Sequence, residues 1–243
     1  RKIFKLALSK NLIDKIPEFP DLKKESTPRG GFTTKEYLQI LKHSKFLSSQ
    51  EACSSYQPTH RDTKGGIYSS NQKLPHEFAW LIGFMVNSFV RPVDIKLIQH
   101  KHVEVIRGKH IYLRLSLPET KKHKLQIVTL RPAVRIYEAL FAHMSQRDLS
   151  SPNDYLFLPE IKDREAASYL ITKHFRKILI DLNLRTGSLG QNRSLYSLRH
   201  TAITFRLLYG KGIDLLTLAK NARTSVEMIE RFYASQLTPE MNI

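Results

Sequence analysis

Residues 196–233 read YSLRHTAITFRLLYGKGIDLLTLAKNARTSVEMIERFY, and the fold turns on this stretch. Arg199 and His200 open an apolar run in which Ile203, Leu207 and Leu208 recur at helical spacing. Gly210 and Gly212 break that run. A second helical run covers Ile213 to Lys220. A third starts near Thr224, carries Met228, Ile229 and Phe232, and ends on or beyond Tyr233. Thr224 and Glu227 have the S/T-x-x-E spacing of a capping box, which places the start of the last helix. Two tight turns therefore gather a polar pair, a short apolar helix and a terminal tyrosine.

The rest of the chain reads as the body that holds this stretch against something negatively charged. It has 243 residues, room for one large domain or two small ones, and a hydrophobic content of 41% supports a core. Lys and Arg total 39 against 22 Asp and Glu, a net charge of +17. The excess is spread along the chain, which favours a folded basic surface over a disordered arm. Nucleic acid is the commonest polyphosphate partner for such a surface. No run is apolar enough to span a membrane and none is a convincing basic amphipathic anchor, so no membrane partner is expected. The single cysteine, Cys53, excludes an internal disulfide and a cysteine-built metal site. With no signal peptide, a reducing, cytoplasmic location is expected. The first residue is Arg1, and the chain reads as a fragment of a longer protein.

Outward from the opening stretch, residues 1–16 read as the last helix of a preceding module, with Ile3, Leu6, Ala7 and Leu8 near one face and Pro17 and Pro20 ending it. Residues 17–32 read as a linker and 33–243 as one domain. Thr33 and Glu36 form a capping box for a helix over about 34–47. Residues 48–73 are polar and turn-rich and read as a flexible loop. Glu77 to Val90 is a core helix, and Val93 to Ile98 a short helical turn. Val103–Ile106, His110–Leu115 and Gln126–Leu130 have strand character, with a lysine-rich turn before the third. Pro132 opens a helix to about Met144, and another covers about Ala166 to Leu182. Residues 185–193 form a glycine-containing loop. The fold class is α+β: mainly helical, with one small antiparallel three-stranded sheet. His100, His102, His110 and His123 lack metal spacing and read as scattered basic surface.

Four residue settings line up across this order. Arg91 follows the apolar helix in SFVRPVDI with Asp94 close behind, and Lys121 lies in the turn KKHKLQIVTL. Arg199 lies in YSLRHT and Tyr233 in MIERFY. This resembles the tyrosine recombinase (phage integrase) family over roughly residues 30–243. The pattern there is T-G-x-R-x-x-E, a hairpin lysine in K-x-x-K-x-R-x-V-P-L, an H-x-L-R-H-T box, L-G-H-S, and a tyrosine nine residues past that last histidine. The L-R-H-T core and the correctly spaced tyrosine are its most specific part. Two positions depart: Tyr196 stands at the first histidine of the box, and Thr224 stands at the L-G-H histidine, nine residues before Tyr233.

The resemblance implies a catalytic domain whose tyrosine attacks a DNA phosphodiester to form a 3′-phosphotyrosyl link. It implies no ATP or metal cofactor, double-stranded DNA as partner and a homotetramer on DNA, in a bacterial, nucleoid-associated setting. Charge developing on the phosphate calls for fixed guanidinium donors, the place of Arg91 and Arg199. Lys121 is suited to protonate the leaving oxygen. A phenol of reference pKa about 10 needs a base or a cationic pocket to attack near neutrality. By resemblance His200 is a second-shell or phosphate-contacting residue and not the primary base, with Tyr196, Thr224 and Asp94 in the second-shell or phosphate-contacting category.

Each residue also has a plainer reading: Arg91 as a helix C-terminal charge, Lys121 as one lysine of a solvated turn, Tyr196 as a packed aromatic, Thr224 as a helix N-cap, and Tyr233 as core. A second function competes as well. Ile213–Tyr233 also reads as helix–turn–helix in a non-catalytic DNA-binding protein, a regulator or an inactive recombinase relative, but that role gives Arg91 and Lys121 nothing to do. Either way most contacts should go to phosphates. DNA binding is expected to fall with salt with a log–log slope steeper than about −3, and a shallower slope would count against an extensive DNA groove.

Overall fold

The computed structural model describes residues 2–19, 30–49, 74–118, 126–188, 190–210 and 213–233. The loop expected over 48–73 lies outside the described residues from 50 onward, as do Cys53 and the lysine-rich turn with Lys121 and His123.

The helix Phe78–Ser88, α3 in chain order after α1 (Lys2–Ser9) and α2 (Thr34–Ser48), is the hub. Its sequence FAWLIGFMVNS carries no charge, and nine of its eleven residues are buried. It packs against α2, α5 (Pro132–Ser145) and α7 (Tyr196–Tyr209). Gly83 sets the closeness of α5, because a Cβ there would lie 2.9 Å from Ile136 Cδ1. Between hub and sheet runs the short α4 (Pro92–Ile95). The sheet is β1 (Val103–Ile106), β2 (Tyr112–Leu115) and β3 (Ile127–Val128), antiparallel with β2 central. Val103 pairs with Leu115, and Leu115 with Ile127. Leu113, Leu115 and Ile127 point into the core and their neighbours out, the two-residue period of a half-buried sheet. The chain closes with α6 (Arg164–Asp181), α8 (Leu215–Asn221) and α9 (Val226–Tyr233).

Local chemistry explains several boundaries. The Thr33 hydroxyl accepts from Glu36 N at 3.2 Å and the Glu36 carboxylate accepts from Thr33 N at 2.8 Å, so the expected capping box forms and α2 starts at Thr34. The Asp163 and Asp214 carboxylates cap α6 and α8 by each accepting from two backbone N–H groups of the first turn. The last helix departs from expectation. The Ser225 hydroxyl accepts from Met228 N at 3.2 Å, so Ser225 is the cap and the helix begins one residue later than the Thr224–Glu227 spacing suggested. Thr224 N instead donates to Ala219 O at 2.9 Å, closing the end of α8. The first helix stops at Ser9, before either proline, because Asn11 turns left-handed (φ 53°) and Leu12 N bonds back to Ala7 O. No residue of α1 is buried. His100 is not surface: it is buried and hydrogen-bonded to the Tyr137 hydroxyl at 3.2 Å.

Long-range polar bonds fix α7, on which the site is built. Phe32 N donates to the Thr201 hydroxyl at 2.8 Å, and Arg193 clasps Glu36 at 2.7 and 3.3 Å. At its other end the α8 helix is pinned to the sheet, since Asn221 exchanges two hydrogen bonds with the Val128 backbone at 2.7 and 2.8 Å, as a neighbouring strand would. The α8–α9 turn is held to α4 by an ion pair, Arg223 to Asp94 at 3.6 Å, with exposures of only 1% for both side chains.

Two stability predictions follow from these burials. Desolvation and then the nearby Lys177 and Lys173 push buried His174 down to about 4, below its ordinary 6.5. The unfolded chain therefore takes up this proton first. Its contribution, about 3 kcal/mol at 1.36 kcal/mol per pH unit, is present above pH about 6.5 and is lost as pH falls towards about 4. His174→Leu should flatten that acid limb in urea titrations, and an unchanged limb would refute the assignment. Asp94→Ala strips the carboxylate from a buried guanidinium and should cost about 3–5 kcal/mol. Combining it with Arg223→Gly should recover part of the loss; strict additivity would show the pair does not act as one.

Candidate active site

The site grows from the end of the hub helix. At its C-terminus Phe89 adopts a left-handed conformation (φ 56°) that turns the chain sharply and leaves its carbonyl to be satisfied from outside α3. Arg199, on the first turn of α7 and 3% exposed, donates Nη1 to that carbonyl. Its Nη2 donates to Ala222 O in the α8–α9 turn.

Arg91 approaches the same turn from the start of α4. Its backbone N–H is held by the Asp94 carboxylate at 2.8 Å, and its Nη2 donates to Arg223 O. Two guanidinium groups 108 positions apart in the chain thus bond to consecutive carbonyls. Their shared location is electrostatically expensive. Burial first, and then the positive charge of Arg91, hold the Arg199 guanidinium below its ordinary value. Asp94 and the Tyr196 and Tyr233 phenols act in the opposite sense. Arg91 Nη1 is buried with no hydrogen-bond partner among the described residues, a charged donor that they leave over.

Tyr233 ends α9 and is buried, at 6% exposure. Its Oη lies 2.5 Å from His200 Nδ1. The His200 ring sits among Tyr196, Phe232 and Tyr233, with ring centroids 5.2, 6.4 and 5.4 Å away. Burial pushes the Tyr233 phenol well above its ordinary value; Arg199 pulls it down and Tyr196 pushes it further up. Tyr196 is half-buried on the turn of α7 before His200, and Thr224 is half-buried directly after Arg223.

The structure therefore gathers Arg91, Asp94, Tyr196, Arg199, His200 and Tyr233 around the Ala222–Arg223 peptide, with Thr224 next in the chain. Lys121 lies outside the described residues; β3, which follows its turn, is pinned to α8 by Asn221. Arg223 was not singled out from the sequence. It occupies the glycine position of the L-G-H-S pattern, and its φ of 53° shows the left-handed turn that glycine normally serves. A buried arginine in that slot was the available signal. Chemically, the cluster offers convergent guanidinium donors for a tetrahedral anion, with a phenol and an imidazole beside them. Among the described residues no group of histidine, cysteine and carboxylate side chains is arranged to hold a metal ion, and no helix is long and apolar enough to cross a membrane.

No known family model and no curated protein matches the sequence. Solved structures do. The chain is similar to XerH site-specific recombinase bound to palindromic difH substrate in a post-cleavage complex, with TM-score 0.56 and 16% identity over 88% of this chain and 52% of that one. It is similar to the Tn1549 transposon integrase in complex with transposon right end DNA, with TM-score 0.55 and 14% identity over 99% and 73%. A lambda integrase dimer bound to a COC′ core site gives TM-score 0.58 and 13% identity over 95% and 55%. The chain thus spans about half the length of the XerH and this lambda integrase chain. At such identities the likeness is one of fold, and on it the chain has the fold of the tyrosine recombinases and integrases.

Proposed function

We propose that this chain is the catalytic part of a site-specific DNA recombinase that cuts and rejoins double-stranded DNA through a 3′-phosphotyrosyl intermediate. The observation that carries the reading is the bonding of Arg91 and Arg199 to adjacent carbonyls beside the Tyr233 hydroxyl. Arg164, by comparison, gives its donors to four backbone carbonyls at 2.7–2.9 Å, whereas Arg91 Nη1 is buried with no hydrogen-bond partner among the described residues.

In this reading Tyr233 is the nucleophile, and Arg91 and Arg199 hold the non-bridging oxygens as charge grows on them. Lys121 protonates the leaving 5′-oxygen from its turn. Asp94 orients Arg91, while Tyr196 and Thr224 line the phosphate. One phosphodiester is exchanged for another of similar energy, so no ATP is consumed. The DNA complexes of the similar recombinases and integrases support DNA as partner, and residues 1–16 fit the end of a DNA-clamping module preceding the catalytic domain. The active form is a homo-oligomer on DNA, a tetramer.

The test uses a pool of nicked duplexes randomised around the nick, read for protein–DNA adducts that survive denaturation. The wild-type chain should form them. Tyr233→Phe should abolish them while leaving DNA binding intact, and Arg91→Ala should slow them by about 10²–10³-fold. Binding without any adduct from the wild-type sequence would overturn the enzyme reading in favour of a non-catalytic DNA-binding protein.

A further inference from the structure

We propose that His200 is the base that takes the Tyr233 proton, an assignment that rests on the recombinase reading and departs from a purely second-shell place for this histidine. The geometry carries it: the hydrogen bond between Oη and Nδ1 is 2.5 Å, and the two rings are tilted at 42° with centroids 5.4 Å apart. That is within the heavy-atom reach required of a general base, before any substrate is present.

Other groups nearby are committed elsewhere. The Asp94 carboxylate holds Arg91 N and pairs with Arg223. The Arg91 and Arg199 guanidinium groups are permanently protonated and accept nothing. The imidazole is wedged between Tyr196, one turn earlier on α7, and Phe232 and Tyr233 of α9, so its orientation is set by packing on both sides. Its backbone is fixed as well, since the next residue, Thr201, accepts from Phe32 N and donates to Ser197 O at 2.8 Å each. Burial of the phenol makes unassisted ionisation near neutrality rare, which raises the need for an acceptor.

The step balances as follows. The Oη–H bond breaks and the proton passes to Nδ1. The oxygen's electron pair forms the Oη–P bond as the P–O5′ bond breaks, and O5′ takes its proton from the general acid. On rejoining, the 5′-hydroxyl returns its proton to the conjugate base of that acid as its oxygen attacks phosphorus, the Oη–P bond breaks, and the imidazolium returns its proton to the departing phenolate.

The test compares ordinary nicked duplexes from the same pool with ones carrying sulfur in place of the bridging 5′-oxygen at the scissile phosphate. A thiolate leaves without a proton, so only losses on the acid side are repaired. His200→Gln keeps a hydrogen-bond acceptor but not a base. It should bind DNA as the wild type does, and form adduct roughly 10²–10⁴-fold more slowly on both substrates. Lys121→Ala should recover on the sulfur substrate. Added imidazole should partly restore His200→Ala. Should the histidine variants fold poorly, ¹⁵N spectra of the wild-type chain supply the second measurement: Nδ1 of His200 should be the unprotonated nitrogen and should shift in Tyr233→Phe. A His200→Gln rate within threefold of wild type, repair of its defect by sulfur, or a proton resident on Nδ1 would each overturn the assignment while the recombinase reading stands. Absence of adduct from the wild type would instead remove that reading, and this assignment with it.

Discussion

Two consecutive peptide units organise the site. The Ala222 and Arg223 carbonyls, consecutive in a left-handed turn, accept hydrogen bonds from Arg199 and Arg91. Buried like charges repel and each resists desolvation, so such a pair persists only where fixed dipoles and a counter-charge are supplied. The fold supplies both. Phe89 and Ala222 offer the carbonyls at helix ends, where partial negative charge accumulates. Asp94 offers the carboxylate, shared between the Arg91 backbone and the Arg223 side chain. What remains is a cationic cluster held in place by the fold.

The scaffold's job is to hold three remote segments at that turn. The hub helix α3 delivers Phe89 and then Arg91; α7 delivers Arg199 and His200; α9 delivers Tyr233. Each is locked by bonds away from the chemistry, such as Arg193 to Glu36 and Asn221 to Val128. This division agrees with the general rule that function lives in a site carried by a fold, and here the fold is shared with proteins only 13–16% identical.

Much of this was legible in the sequence because it was local. The Thr33–Glu36 box, Pro132 at a helix start and the alternation around Leu113 and Leu115 depend on neighbours a few residues away. The convergence of Arg91, Arg199 and Tyr233 was legible only through the motif resemblance, since no local rule brings residues this far apart together. Three features escaped for physical reasons. The cap is Ser225 and not Thr224, and the Thr224 N–H that the Glu227 half of the box needs is given to Ala219 O instead. His100 was drawn inside by the Tyr137 hydroxyl, which polarity alone does not foretell. Arg223 escaped because an arginine in a left-handed, buried turn runs against both backbone and solvation preferences, and its counter-charge, Asp94, lies 129 positions earlier.

The most direct measurement is to trap the protein on a nicked duplex whose cleavage releases a short strand that diffuses away, digest the complex, and identify the residue bearing the nucleotide by mass spectrometry. The account predicts a phosphotyrosyl link at Tyr233. A nucleotide attached to any other residue would contradict it.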